Sequence, residues 1–199
     1  LKILFVCTGN TCRSPMAEAY IKDKIKDGYF LSAGTDAIDN LPASENAVMA
    51  LKDLGIELKE HRSQRITKEK LAEVDLVLTM TLRHKIRLIN QYPEFKDKIF
   101  TLKEYAKGID LEKIIKRVEE LESIILQSKN ELNNDGENIE EFKSKFQKEI
   151  GELQKLYETM AELDVADPFG GTLDDYRVTL QEIKEHIDLI IEKIIKNNN

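Results

Sequence analysis

Residues 7 to 14, CTGNTCRS, bring both cysteines of the chain, an arginine and a serine into one short stretch behind the apolar run KILFV, residues 2 to 6. Gly9 and Asn10 tolerate positive φ, so successive backbone N–H groups can turn toward one point. The amino end of a following helix adds partial positive charge there. The stretch therefore reads as an anion nest, with Thr8, Gly9, Asn10, Thr11, Cys12 and Ser14 as candidate substrate-binding positions. It is not a Walker loop, because the lysine that would touch terminal phosphates is absent.

Cys7 at the end of the apolar run would have its thiolate stabilised by those N–H donors, by Arg13 and by a hydrogen bond from Ser14. Its pKa is expected to be lowered, which supplies a nucleophile at neutral pH. The planar fork of Arg13 can hold two oxygens of a phosphoryl group and offset charge in the transition state. Taken singly, a buried cysteine is usually a small apolar core residue and Gly-Asn is usually a turn. Cysteine, five residues, arginine and serine between a strand and a helix together point to phosphoryl transfer to Cys7. Zinc is disfavoured, since no second cysteine pair or clustered histidine completes four ligands. No metal or cofactor is expected.

The positioning elements follow from the apolar pattern. Short runs at 2–6, 29–33, 74–79 and 98–102 alternate with helical patterns at 14–27, 44–54, 67–73 and 81–91. Strands alternating with helices predict an α/β fold, a four-stranded parallel sheet flanked by helices in the Rossmann-like manner. In such a sheet the ligand crevice lies beyond the carboxyl ends of the strands, where residues 7 to 14 sit. A last helix, about 172 to 196, carries Leu180, Ile183, Ile187, Ile190, Ile191 and Ile194 on one face, and Thr172 with Asp175 resembles a capping signal at its start.

Residues 109 to 164 break the alternation. Leu111, Ile114, Val118, Leu121, Ile125 and Leu132 step at helical spacing, as do Ile139, Phe142, Phe146, Leu153, Leu156, Met160 and Leu163 beyond the turn NNDGEN at 133–138. This predicts an antiparallel, coiled-coil-like hairpin inserted into a core formed by 1–108 and 165–199. The segment holds 15 acidic against 8 basic residues and so carries the whole net charge of −7. Its base is expected near the mouth of the site. It could recruit protein partners, self-associate, or bury its two apolar seams on each other with no partner at all.

With 34% charged residues but no basic excess, the chain lacks the footprint of a nucleic-acid or anionic-membrane binder. No apolar run approaches the roughly 20 residues that span a bilayer, and the amino terminus lacks a secretory pattern. A cytoplasmic setting with reduced thiols is the expectation. His61, His84 and His186 are too scattered for a metal site or triad, and structural or surface roles are expected for each. Tyr105 and Tyr176 read as packing residues.

CTGNTCRSPMAEA, residues 7 to 19, resembles the phosphate-binding loop of the low-molecular-weight protein tyrosine phosphatase family, and DPFGG, residues 167 to 171, resembles its general-acid loop. SAGT (32–35), HRSQRIT (61–67), DLVLTM (75–80) and FTLKEY (100–105) extend the resemblance over nearly all of the chain outside the hairpin. The resemblance implies a phosphorylated protein substrate, inorganic phosphate as product, and Cys7 as the nucleophile that forms a phosphocysteine. It implies Asp167 as acid for the leaving group and then as base for water. Asn10 would hold the loop backbone and Ser14 the thiolate. Cys12 would protect Cys7 through a reversible disulfide, with simple packing as the alternative. Phe169, by its place after Pro168, can wall the pocket.

Thr11 together with DPFGG resembles the bacterial protein arginine phosphatases, whereas tyrosine phosphatases of the family carry a bulky aliphatic residue at that position and an aromatic pair after Asp-Pro. A phosphotyrosine ring wants apolar walls. A phosphoguanidinium is flat and polar, with N–H groups that a carboxylate can receive as a fork. Phosphoarginine is thus the favoured substrate and phosphotyrosine the alternative. Arsenate reduction is disfavoured because no cysteine follows Cys12. A non-catalytic phosphate-binding scaffold is the further alternative.

Overall fold

The first strand, β1 (Lys2–Cys7), is buried at every residue from Ile3 onward, as a strand covered on both faces must be. The computed structural model describes residues 1–135 and 144–197. Ile3, Phe5 and Cys7 face one apolar layer, while Leu4 and Val6 face the other. Parallel strands β2 (Tyr29–Gly34), β3 (Leu76–Thr79) and β4 (Ile99–Thr101) complete a sheet in the order β2-β1-β3-β4. The chain leaves β1 toward β2 on one side and later returns to β3 on the other. The carboxyl end of β1 is therefore the switch point where a crevice opens.

Helices α1 (Arg13–Lys24), α2 (Glu45–Lys52), α3 (Lys68–Glu73), α4 (Leu82–Gln91), α5 (Leu102–Lys107) and the last helix, here α8 (Leu173–Asn197), flank the sheet. Met16, Ala17, Tyr20 and Ile21 of α1 share the first layer with Leu180, Ile183, Ile187 and Ile190 of α8. Leu71 of α3 and Leu88 of α4 close the second. Each fully buried aliphatic side chain contributes on the order of 2 kcal/mol. The site thus rests on a floor that resists displacement.

Strand and helix limits depart from the sequence pattern where capping overrides apolarity. The run 98–102 stops as a strand at Thr101, because Thr101 accepts from the Glu104 N–H at 3.1 Å while Glu104 accepts from the Thr101 N–H at 2.9 Å, which starts α5. Neither α5 nor the 3-10 turn at Pro93–Lys98 is apparent in the apolar periodicity. At its other end α1 stops at Lys24 rather than 27, since Ile25 turns extended and Gly28 lies just beyond.

The chain divides into two compact units, Leu1–Gly108 with Leu163–Asn199, and Ile109–Glu162. The second holds α6 (Leu111–Asp135) and α7 (Gln147–Ala161). Arg117 of α6 grips Glu152 of α7 with Nε at 2.7 Å and a second nitrogen at 3.0 Å, and Tyr157 donates to Glu122. Leu111, Val118 and Leu121 are buried, whereas Ile124 and Leu126 face solvent, so the apolar stripe is narrow. Phe146 caps the start of α7 with non-helical backbone rather than continuing a helix. Ile139, Phe142, part of the 133–138 turn and the Leu132 side chain lie outside the described residues. Among those described, no helix is long and apolar enough to cross a membrane.

Candidate active site

The loop after β1 is fixed by its neighbours. Thr35 and Asp36 donate their N–H groups to the Cys7 and Thr8 carbonyls, both at 2.9 Å, so the chain beyond β2 runs against it. Gly34 permits this approach, because a Cβ there would lie 2.4 Å from the Thr8 carbonyl oxygen and 3.0 Å from the Asn10 nitrogen. Of the two residues that tolerate positive φ, only Asn10 adopts it, at 55°. Gly9 does not adopt it, and a Cβ at Gly9 would make only an ordinary contact with Thr11 at 3.6 Å.

Asn10 is fully buried and holds the loop from within. Its Nδ2 donates to Ser14 Oγ at 2.9 Å and to Ser32 Oγ at 2.8 Å, its Oδ1 accepts from the Gln64 N–H at 2.8 Å, and its carbonyl lies 2.8 Å from His61 Nε2. The Cys7 sulfur faces the same network, 3.0 Å from Ser14 Oγ and 3.3 Å from the Asn10 backbone nitrogen that donates to it. The first turn of α1 begins at Arg13, so its amino end points into the loop.

Arg13 is 5% exposed. Its guanidinium donates to Asp167 Oδ2 at 2.7 Å and to the Val165 carbonyl at 3.4 Å. Asp167 itself is half exposed, with Asp167 Oδ1 accepting the Phe169 N–H at 3.3 Å. The loop then turns through Gly170, whose φ of 78° favours glycine, and closes with the Gly171 N–H on the Pro168 carbonyl at 2.9 Å. Thr172 and Asp175 cap α8 reciprocally.

Cys7, Thr8, Gly9, Thr11, Cys12, Arg13, Asp167 and Phe169 line a single cavity of about 220 Å³. Asn10 and Ser14 stand behind it and hold Cys7. Phe169 is 77% exposed at the edge. A larger cavity, about 770 Å³ between α1 and residues 55–61, contains none of the loop and no cysteine, serine or threonine. Nucleophile, cation and carboxyl group converge instead on the smaller one. Such a pocket suits a tetrahedral phosphoryl group with the departing atom directed at Asp167, and an incoming phosphoryl group competes with Asp167 for the Arg13 donors.

Cys12 is 5% exposed, with its sulfur 3.3 Å from the Tyr176 hydroxyl and 3.5 Å from Ser44 Oγ. Burial, then Cys12, raises the Tyr176 pKa. Tyr176 therefore packs and also reaches the loop. His84 reaches it too: Nε2 lies 2.9 Å from Thr8 Oγ1 and Nδ1 lies 2.7 Å from Thr81 Oγ1. Burial, with Arg13 nearby, pushes its pKa down to about 4, so the ring is neutral at neutral pH. Three side chains that touch the loop, His61, His84 and Tyr176, stand far from it in sequence. Only the strand-to-helix placement of Thr81 and His84 beyond β3 could have marked one of them. Among the described residues no group of three or more His, Cys, Asp or Glu side chains could hold a metal ion.

A family model described as low molecular weight phosphotyrosine protein phosphatase matches residues 2–116, from β1 into α6. The chain belongs to this family. Over almost its entire length, 99% of both chains, this phosphatase-family chain is 40% identical to a protein-arginine-phosphatase of Bacillus subtilis (strain 168). Two solved structures superpose closely. One is a YwlE arginine phosphatase mutant with a phosphorylated active-site serine, 32% identical at a TM-score of 0.68, covering 98% of this chain and 97% of that one. The other is a low molecular weight protein tyrosine phosphatase from T. tengcongensis, 35% identical at a TM-score of 0.67, covering 97% and 99%. The four-stranded parallel sheet flanked by helices is thus the fold of the family, and protein phosphatase chemistry, a hydrolysis, is its activity.

Proposed function

We propose that the chain is a protein arginine phosphatase that works through a phosphocysteine at Cys7. The convergence of Cys7, Arg13 and Asp167 on one cavity of about 220 Å³ carries this reading. In the first step the Cys7 sulfur attacks phosphorus and an S–P bond forms while the P–N bond to the arginine side chain breaks. The electron pair leaves with the guanidine nitrogen, which takes a proton from Asp167. Arg13 and the loop N–H groups hold the equatorial oxygens as charge builds on them. In the second step Asp167 accepts a proton from water, the water oxygen attacks phosphorus, and the S–P bond breaks. Inorganic phosphate departs and the thiolate returns.

Arginine is favoured over tyrosine by Thr11, which lines the cavity with a small polar edge, and by the full-length likeness to a protein-arginine-phosphatase. Phe169 at the rim offers one apolar wall rather than the two faces a phosphotyrosine ring would use. A tyrosine phosphatase is the second reading, supported by the family's description and the T. tengcongensis likeness. A cytoplasmic setting, where Cys7 and Cys12 stay reduced, fits this chemistry.

Phosphoarginine and phosphotyrosine peptides of matched sequence, compared by kcat/KM, decide between the readings. Phosphoarginine should be turned over faster, and Thr11→Ile should shift the ratio toward phosphotyrosine by about tenfold or more, as a steric change to a pocket wall can. Equal or faster hydrolysis of phosphotyrosine by the unaltered enzyme contradicts the arginine assignment.

A further inference from the structure

Asp167 accepts from Arg13 at 2.7 Å and from the Phe169 N–H at 3.3 Å, but its side chain is half exposed and Phe169 beside it is 77% exposed. The chain just before it is held differently. Val165 is buried and donates its N–H to the Met80 carbonyl at 2.8 Å, at the end of β3. Asp164 Oδ1 accepts the Leu82 N–H of α4 at 2.6 Å. Two further side chains close on this segment from two helices. Lys103 of α5 is 7% exposed and donates from Nζ to the Asp164 carbonyl at 2.6 Å. The same Nζ pairs with Glu182 Oε1 of α8 at 2.5 Å, and Glu182 Oε2 accepts the Ala166 N–H at 3.1 Å.

The pair thus holds the carbonyl before Val165 and the N–H after it, one residue short of Asp167. Neither Lys103 nor Glu182 lines the cavity that holds Cys7. A largely buried ion pair is weak evidence for stability, because desolvation offsets most of the Coulomb attraction. Its geometric effect is stronger, since removing one partner leaves the other charge and a backbone group unmatched.

We infer that Lys103 and Glu182 are positioning residues for the reaction: by clamping the backbone at Asp164 and Ala166 they aim the Asp167 carboxyl group at the departing atom. The inference rests on the reading of Asp167 as the general acid. The clamp fixes the base of the acid loop within the phosphatase unit, three residues after the chain leaves the inserted segment. Loosening it displaces the proton donor and the Val165 carbonyl that Arg13 reaches, but leaves Cys7 and the hydrogen bonds that fasten the phosphate loop in place. The loss should then depend on how much the leaving group needs a proton.

The test compares kcat/KM for phenyl phosphate, a poor leaving group, with dinitrophenyl phosphate, a good one, in the full chain. Lys103→Met should lower the phenyl rate by about tenfold relative to the dinitrophenyl rate, the scale expected of a displaced catalytic group. Lys103→Arg, which keeps the charge and a donor, should recover most of it. In an Asp167→Asn background Lys103→Met should add little, because the group it aims is already gone. Should Lys103→Met not fold, Glu182→Gln, of equal size, takes its place with the same expected selectivity. A loss equal for both substrates, or none for either, overturns the clamp. If Asp167→Asn itself leaves the ratio of the two rates unchanged, the acid assignment fails, and that outcome is distinct from failure of the clamp alone.

Discussion

The phosphate loop and the acid segment line the same cavity but are held in different ways. Between Cys7 and Ser14 the loop is largely buried, and Asn10 fastens it with hydrogen bonds to residues of β2, α1 and the 61–64 segment. The acid segment is gripped at its base, through Asp164, Val165 and Ala166, and beyond it by the Arg13 contact to Asp167, whose side chain stays half exposed while Phe169 projects toward solvent. The difference follows from what each meets. A phosphoryl group has one shape in every substrate, so its cradle can be rigid. A leaving group comes with a protein attached, and the carboxyl group that serves it must stand where that chain can reach.

Disrupting the rigid side should therefore harm every substrate alike. Asn10→Ala removes three side-chain hydrogen bonds, two of them fully buried, and a non-glycine residue type that tolerates a φ of 55°. It is expected to lower kcat/KM by on the order of 10²-fold for good and poor leaving groups equally, the scale of a misplaced reacting group. A selective effect on poor leaving groups would place Asn10 with the acid and erase the contrast.

A smaller effect concerns the support under Thr8. The folded-state pKa of His84 lies near 4, below the ordinary 6.5, so between these values the unfolded chain binds a proton that the folded chain does not. Stability must then rise with pH across that window and fall as the solution is acidified from about 6.5 toward about 4. The loss has an upper bound of about 3.5 kcal/mol, from roughly 1.4 kcal/mol per pKa unit. His84→Gln should flatten this part of a pH-dependent denaturation curve. An unchanged curve would show that His84 is not held neutral against the loop.

The phosphate loop was legible in the sequence because its chemistry is local: cysteine, arginine and serine lie on consecutive turns of one strand-to-helix junction, and the periodicity of KILFV fixes which end of the sheet they occupy. Asp167 was legible only through resemblance, since nothing in its own neighbourhood says that the start of α8 returns to β1. His84, His61 and the Lys103–Glu182 pair were not legible, because their partners lie tens of residues away and become neighbours only when the sheet order is known. The start of α5 was hidden for a different reason. Its capping box sits inside an apolar run, and the hydrogen bonds of Thr101 and Glu104 outweigh the strand pattern of the residues around them.

The contrast between the two regions depends on a covalent intermediate at Cys7, and trapping it is the most direct test. Asp167→Asn, which should slow hydrolysis of the intermediate, is mixed rapidly with dinitrophenyl phosphate, and the peptide containing residue 7 is examined by mass spectrometry. One phosphoryl group on the Cys7 sulfur is the predicted result, absent when Cys7→Ala is treated in the same way. A phosphoryl group on another side chain, or steady turnover by Cys7→Ala, would contradict it.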